Sequence, residues 1–177
     1  MDITDRAPML EPLDERVDHV RGRADAPVIL EYGDYECPYS RQAFRAIERV
    51  ERELSSNVRF AFRHFPLTEI HPHALAAAAA SEAAALQKRF WDLHGLLFHR
   101  QKALEDDDLR GYATEIGLYL PRFDHDRADD AVRARIARDV ASGEATGLVR
   151  GTPTIFLDGI LYEGRYEPAD LIEALAR

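Results

Sequence analysis

Two strongly apolar runs on either side of one amphipathic segment constrain the fold of this chain more than any other feature. The run "VILEYGDY" begins at Val28, and the run "VRFAFRHF" begins at Val58. From Pro38 the intervening segment has helical spacing, and "SSN" ends it, with these apolar positions on one face: Phe44, Ile47, Val50 and Leu54. The pattern predicts a strand, a helix and a second strand parallel to the first, joined by a right-handed crossover. Because the first run begins apolar on both faces, we expect a central strand covered by helices on two sides.

The middle of the chain, from Ile70 to Gly147, is predicted to be helical throughout. Within its alanine-rich stretch, a single helical face collects Leu75, Ala79, Leu86, Phe90 and Leu93, and the same face carries Glu82. Further helices are predicted in "EDDDLRGYATEIG" and in "DDAVRARIARDVASG". In the last of these we expect Val132, Ile136 and Val140 to face inward and Arg133, Arg135 and Arg138 to face out.

The two ends of the chain supply further β structure. "RVDHV" alternates like a short edge strand, and "GRADAP" turns the chain into the central strand. Near the other end, two apolar runs flank Asp158-Gly159, a strong hairpin signal, and Glu167-Pro168 opens a last helix that packs through Leu171, Ile172 and Leu175. We therefore expect a polar lead-in over residues 1–15, a first α/β segment over 16–69, a helical insertion over 70–147 and a second α/β segment over 148–177.

Composition excludes several classes of partner. The net charge of −9 in 177 residues argues against nucleic-acid binding, which needs clustered lysine and arginine. The N-terminus is acidic without an apolar signal region, and no stretch approaches the roughly 20 apolar residues of a membrane span. We expect a soluble cytoplasmic protein with no nucleic-acid or membrane partner. The oligomeric state stays open.

The single cysteine lies where a reactive thiol would be expected. Pro38 suits the first position of a helix, which leaves Cys37 at the N-terminal cap. There the helix dipole and the free N–H groups lower the pKa of a thiol and favour the nucleophilic thiolate. The alternative is a buried cysteine that acts as a small hydrophobic residue. The junction of a strand and an amphipathic helix, between Glu36 and Tyr39, predicts partial exposure.

Several segments together resemble the DsbA-like branch of the thioredoxin superfamily. They are "DAPVILEYGDYECPYSRQAF", "FRHFPL", "HPHA", "FWDLHGLLF" and "RGTPTIFLDG", which lie between Asp25 and Gly159, and the resemblance extends over about residues 17–175. The resemblance implies an α/β thioredoxin fold with an inserted all-helical domain. It also implies that Thr152-Pro153 is a cis peptide bond facing Cys37, and that the main chain of Thr152 pairs with an extended substrate.

One position departs from the pattern of that family. Its working members have a second cysteine three residues after the first, and here that residue is Ser40. A hydroxyl can donate a hydrogen bond to the Cys37 thiolate, but it cannot attack a disulfide at a useful rate. We therefore expect a monothiol oxidoreductase or isomerase whose mixed disulfides with protein or small-molecule substrates are resolved by an external thiol.

Other residues near the cysteine have predicted roles. Glu31 matches a buried acid of the family that assists proton transfer, although a glutamate at a strand end could also reach solvent. Tyr39 and Pro38 are expected to contact substrate. Arg41 and Arg150 could attract an anionic thiol such as glutathione, although an ordinary solvated role is the commoner one for arginine. No bound cofactor is expected, and glutathione or another small thiol is the expected co-substrate.

Three other functions remain open on the sequence. The first is a binding protein that keeps the peptide groove without turnover. The second is a glutathione-linked isomerase or transferase, although such enzymes have serine as the first residue of the active-site motif. The third is a one-cysteine peroxidase. The histidines at 71, 73, 94 and 99 have neither zinc-finger nor zincin spacing, so no metal site is predicted.

Overall fold

The computed structural model describes residues 10–177 and consists of one five-stranded sheet flanked by helices. The predicted polar lead-in at 1–15 lies partly outside the described residues. The strands are β1 (His19–Gly22), β2 (Val28–Gly33), β3 (Arg59–His64), β4 (Thr154–Leu157) and β5 (Ile160–Tyr162). The helices are α1 (Pro38–Leu54), α2 (Ala74–Ala85), α3 (Phe90–His99), α4 (Asp106–Glu115), α5 (Leu120–Asp126), α6 (Asp130–Ala145) and α7 (Pro168–Leu175).

The sheet confirms the predicted arrangement of the strands. Its order is β1-β3-β2-β4-β5, with β2 parallel to β3 and every other neighbouring pair antiparallel. Thus β2 is central, and helix α1 connects it to its parallel neighbour β3. The edge strand β1 begins three residues later than "RVDHV" suggested, because Glu15–Val17 form a turn and Val17 N–H donates to Asp14.

The core has one apolar layer on each face of the sheet. Alternate residues of β2 separate these layers, with Ile29 in one and Leu30 and Tyr32 in the other. The first layer contains the inward faces of α1 and α3 together with Leu171 of α7. The second is smaller and includes Phe65, Phe156 and Val140 of α6. By the same alternation, Glu31 lies on the face of Ile29, toward the first and larger layer.

The alanine-rich region forms two helices where the pattern predicted a single apolar face. Helix α2 ends at Ala85, and Lys88 adopts a left-handed conformation with a φ of 62° before α3 begins. Leu86 lies in this break and is exposed, and Leu75 at the start of α2 is exposed as well, so the predicted continuous face is wrong. The alanines of α2 are buried on nearly every side, which removes the periodic contrast that would have marked the break. Helix α5 lies within the predicted helical region, although no separate helix was predicted there; it buries Phe123.

Charged side chains also depart from the expected surface pattern. In α6, Arg133 is exposed as predicted, but Arg135 donates to the Val17 carbonyl and pairs with Asp139, so it does not simply face solvent. Arg138 pairs with Asp18, which also receives a two-pronged bond from the fully buried Arg63 at 3.0 and 2.9 Å. Removing one of these charged side chains would leave its partner buried and unpaired, which would lower the free energy of unfolding. They tie the chain before β1 to β3 and α6.

No helix in the described part of the chain, residues 10–177, is long and apolar enough to cross a membrane.

Candidate functional site

Cys37 forms the N-terminal cap of α1. Its backbone is extended, with a φ of −73° and a ψ of 121°, and Pro38 begins the helix. The backbone is fixed on both sides, because Cys37 N–H donates to the Asp34 carbonyl and Gln101 Nε2 donates to the Cys37 carbonyl at 2.8 Å. Sequence reasoning missed Gln101, which comes from the segment after α3 and also donates to the Tyr35 carbonyl. The cap position is as predicted.

The exposure of the thiol differs from the expectation. Cys37 is only 4% exposed, so the predicted partial exposure is wrong. The reason is the loop that precedes β4, where the Thr152 carbonyl accepts a hydrogen bond from the Cys37 thiol over 3.2 Å. The peptide bond between Thr152 and Pro153 in this loop is cis. The side-chain oxygen of Thr152 is buried without a partner among the described residues.

Tyr166 connects this loop to the last helix. Its phenol donates to the Pro153 carbonyl over 3.1 Å. Burial raises the pKa of Tyr166, and the nearby charges of Glu31 and Cys37 raise it further. Sequence reasoning missed Tyr166, whose only signal was an aromatic residue just before Glu167-Pro168.

Ser40 is buried one turn into α1, but its hydroxyl has a different partner from the expected one. Its oxygen accepts the Asp34 N–H over 3.2 Å, and no bond to the sulfur of Cys37 is present among the described residues. The predicted donation to Cys37 is thus not made in this conformation. The hydroxyl instead holds the loop that leads from β2 to the cap.

Glu31 is fully buried in β2, between Phe62 of β3 and Ile155 of β4. The alternative of a glutamate that reaches solvent is therefore wrong. Neither carboxyl oxygen has a hydrogen-bond partner among the described residues, and burial raises the pKa of Glu31 to about 8. Gly33 leaves room for this carboxyl: a Cβ there would lie 2.9 Å from Glu31 Oε1 and 2.4 Å from the Phe62 ring.

Two histidine and carboxylate pairs hold the loop before Cys37. Asp34 accepts from His71 Nδ1 at 2.8 Å and from Leu67 N–H at 2.9 Å. Glu36 accepts from both the backbone N–H and Nδ1 of His73. The bond to Glu36 raises the pKa of His73. These histidines thus anchor the loop to the segment that enters the helical region.

The remaining predicted residues lie at the surface near the cap. Tyr39 is 65% exposed and Pro38 is exposed, so both can meet a substrate. Arg41 follows on the next turn of α1 and contacts the His99 carbonyl at 3.4 Å. Arg150 is exposed in the loop before Pro153 and donates to the Gly147 carbonyl at 3.3 Å.

One group of residues has the composition of a metal site, and it was not among the histidines considered from the sequence. His19 and His64 both approach the same oxygen of Glu82, at 2.6 and 2.7 Å, and the three ligand atoms lie within 4.8 Å of one another. These bonds lower the pKa of Glu82 against the effect of its burial. His64 Nδ1 is buried without a partner among the described residues, whereas metal-binding histidines normally anchor that nitrogen. The arrangement fits a hydrogen-bonded core triad better than a metal site.

Comparison with known proteins gives the family of the chain. Residues 14–177 match the family model described as Thioredoxin. The chain is 43% identical to the Na(+)/H(+) antiporter NhaA 1 of Mycolicibacterium vanbaalenii over 94% of its own length, and 44% identical to that of Salinispora arenicola over 95%. It spans only about a quarter of the length of these curated relatives, at 27% and 25%.

Solved structures agree with the family match. A thioredoxin-like oxidoreductase from Silicibacter pomeroyi superposes with a TM-score of 0.81 and 26% identity, over 98% of this chain and 96% of the other. The thiol-disulfide exchange protein alpha-DsbA2 from Wolbachia pipientis gives 0.80 at 17% identity, over 92% and 87%. BdbD from Bacillus subtilis gives 0.79 at 19% identity, over 91% and 92%. With its central β2, its capping cysteine and its helical insertion, the chain belongs to the thioredoxin family and has the DsbA-like form of that fold.

Proposed function

We propose that this protein is a DsbA-like thiol-disulfide oxidoreductase or isomerase that works through Cys37 alone. The observation that supports it most is the meeting of Cys37, at the start of α1, with the Thr152 carbonyl beside cis Pro153, while Ser40 stands where a second thiol would be. Because the chain has one cysteine, its cycle cannot end in an internal disulfide. An external thiol is needed instead.

The proposed cycle exchanges one disulfide for another. The Cys37 thiolate attacks a substrate disulfide R–S–S–R′, a Cys37–S–S–R bond forms, and R′–S⁻ leaves and takes up a proton. The thiolate of an external thiol G–SH then attacks the sulfur of R, which forms G–S–S–R and releases Cys37. The sum is R–S–S–R′ plus G–SH giving R–S–S–G plus R′–SH, so no further oxidant or reductant is required. When the attacking thiol belongs to the same substrate, the outcome is isomerisation.

Glu31 is the proposed proton donor to the leaving thiolate. A pKa of about 8 keeps its carboxyl protonated at neutral pH, where an ordinary glutamate has lost its proton. In the resting geometry the Cys37 thiol is engaged with the Thr152 carbonyl at 3.2 Å. The substrate must therefore displace this contact, and the backbone of Thr152 becomes available to it. Pro38, Tyr39 and Pro153 complete the proposed substrate surface.

The test uses a peptide disulfide and intact-protein mass spectrometry. Without added thiol, wild type should gain the mass of one peptide half and then stop, whereas Cys37→Ala should gain nothing. Added glutathione should release the peptide and restore the starting mass. Repeated turnover of wild type without any added thiol would contradict the monothiol cycle, and failure to form an adduct would contradict the oxidoreductase assignment.

A non-catalytic peptide-binding module is the second candidate, and the 4% exposure of Cys37 favours it. On that view the thiol fills a small space and the surface beside cis Pro153 only binds. A peptide affinity that is unchanged in Cys37→Ala, together with alkylation of Cys37 only after unfolding, would support this function. Rapid alkylation of the folded protein would favour the catalytic one.

The proposal concerns the thioredoxin unit. The curated relatives are named as Na(+)/H(+) antiporters, and the chain matches only about a quarter of their length. We propose a cytoplasmic location, because small thiols there would keep a lone cysteine reduced. Cell fractionation followed by mass tagging of free thiols checks both the compartment and the redox state.

A further inference from the structure

A groove runs along α1 directly beside the cap that carries Cys37. It has a volume of about 370 Å³, which is within the range of roughly 300–1,000 Å³ typical of small-molecule sites. Pro38, Tyr166 and Gln101 line the end nearest Cys37, and each also belongs to the surroundings of the thiol described above. The groove is therefore continuous with the candidate active site.

Three arginines from successive turns of α1 give this groove its charge. Arg41, Arg45 and Arg49 line it, and the one acidic lining residue is Glu167, so the groove carries a net charge of +2 in a chain of −9. Within residues 10–177 neither Arg41 nor Arg45 forms a salt bridge, and Arg41 Nε is buried without a hydrogen-bond partner. Arg49 pairs with Glu53 at 2.9 Å. Two of the three guanidinium groups therefore lack an acidic partner there.

The spacing suits a ligand of tripeptide size. Arg41 and Arg45 lie four and eight residues after Cys37, which corresponds to about 6 and 12 Å along a helix that rises about 1.5 Å per residue. An extended tripeptide spans about 10 Å. A small thiol with carboxylates at its ends could thus bind these arginines and still bring its sulfur to the cap.

We propose that this arginine groove binds the external thiol that resolves the Cys37 mixed disulfide, and that this thiol is a carboxylate-bearing, low-molecular-weight one of the glutathione type. The inference rests on the proposed function and adds the class of the second substrate. Arg45 and Arg41 would hold the carboxylates by charge-assisted hydrogen bonds. The thiolate of the bound molecule would attack the substrate sulfur of the mixed disulfide and release Cys37, as in the second step above.

The kinetic test starts from Cys37 joined to a neutral peptide thiol and follows release of the peptide by stopped flow. Glutathione and uncharged 2-mercaptoethanol are compared in wild type, in Arg45→Glu and in Arg52→Gln. Arg52 is an exposed arginine of α1 that does not line this groove, so Arg52→Gln controls for the loss of a positive charge elsewhere on the same helix. The ratio of the two rate constants should fall about tenfold in Arg45→Glu, stay unchanged in Arg52→Gln, and decrease in wild type at high salt.

A binding test separates this inference from the proposed function. S-methylglutathione, which cannot react, is titrated into Cys37→Ala and into Cys37→Ala with Arg45→Glu, and the arginine side-chain NMR signals are followed. Shifts at Arg45 and Arg41 that are lost in the double variant support the groove. If both thiols release the peptide from Cys37 but the ratio of their rate constants is the same in wild type and in Arg45→Glu, the groove inference fails while the proposed function stands. If only release by an acidic peptide thiol depends on Arg45, the small-thiol assignment is overturned. If Cys37 forms no mixed disulfide, the proposed function fails, and the binding test alone decides the groove.

Discussion

The buried carboxyl of Glu31 should make the stability of the protein fall as pH rises from about 5 to 8. Its pKa is about 8 in the folded state, against an ordinary value of 4.5. Between these values the unfolded chain has lost the proton and the folded chain still holds it, so the folded state binds more protons. Since stability then decreases with pH by up to about 1.36 kcal/mol per pH unit, this one group should cost about 3 to 4 kcal/mol between pH 5 and pH 8.

Glu31→Gln removes this ionisation while keeping nearly the same shape. We expect the glutamine variant to gain stability relative to wild type as pH rises, with the difference between the two growing by about 3 to 4 kcal/mol from pH 5 to pH 8. That is a large part of the roughly 5–15 kcal/mol of a typical domain. Below pH 4.5 the difference should become constant, because the carboxyl is then protonated in both states.

The assay is urea unfolding at pH 4, 5, 6, 7 and 8, with Cys37→Ala in every protein so that the thiol does not titrate. Glu163→Gln, a change at an exposed carboxyl, serves as the control for the loss of one glutamate at the surface. Only the change of the difference with pH is interpreted, because the amide that Glu31→Gln buries has its own fixed cost. If the Glu31→Gln and parent curves run parallel from pH 5 to pH 8, the carboxyl is not held protonated by burial and the proposed proton donor is lost.

Contacts within the site lead to three further predictions. Ser40→Cys should supply the second thiol and release a bound peptide without any external thiol, which mass spectrometry would detect as an internal disulfide; continued dependence on added thiol would argue against the predicted geometry. Gly33→Ala should destabilise by about 1–3 kcal/mol because of the close contacts described above, whereas Gly111→Ala, where a Cβ meets nothing within 4 Å, should be neutral or slightly stabilising in urea unfolding; equal effects would refute the crowding. An NMR titration should show a raised pKa for His73 in the wild type and a lower pKa in Glu36→Gln. The same titration midpoint in both proteins would mean that the pair is not formed.

Local chemistry was sufficient to predict the parts of the fold that depend on neighbours in the sequence. The apolar runs and the intervening amphipathic helix predicted the parallel pair β2 and β3. Asp158 and Gly159 predicted the last hairpin, and they have φ values of 46° and 84°, as the tight turn requires. Pro38 located the start of α1 and therefore the cap at Cys37.

The parts that could not be predicted depend on residues far apart in the chain. The break between α2 and α3 has no glycine or proline, and the buried alanines hide its periodicity. His71 and His73 meet carboxylates 37 positions away, and Gln101 meets the Cys37 carbonyl 64 positions away. Such pairs carry no local pattern, since either partner alone is an ordinary polar loop residue. For the same reason, the position of Cys37 at a helix cap predicted an exposed thiol and did not reveal that Thr152 covers it.

The contact between the Cys37 thiol and the Thr152 carbonyl affects how a reaction cycle without a second cysteine, with Ser40 in its place, would proceed. In the resting site the thiol contacts the Thr152 carbonyl, and burial raises the pKa of Glu31 to about 8, which keeps that carboxyl protonated at neutral pH. The carbonyl presents the negative end of its dipole, so a thiolate would be repelled from that contact and the sulfur must turn away from Thr152 to react. A substrate backbone that takes over the hydrogen bond of the Thr152 carbonyl would open the site and release the thiol from this contact. Because a serine hydroxyl does not attack a disulfide at a useful rate and Cys37 is the one cysteine of the chain, the mixed disulfide formed then has no internal competitor. The lifetime of the mixed disulfide would then depend on how readily a second thiol binds next to the cap. The charge of the arginine groove would therefore control the rate of the resolving step.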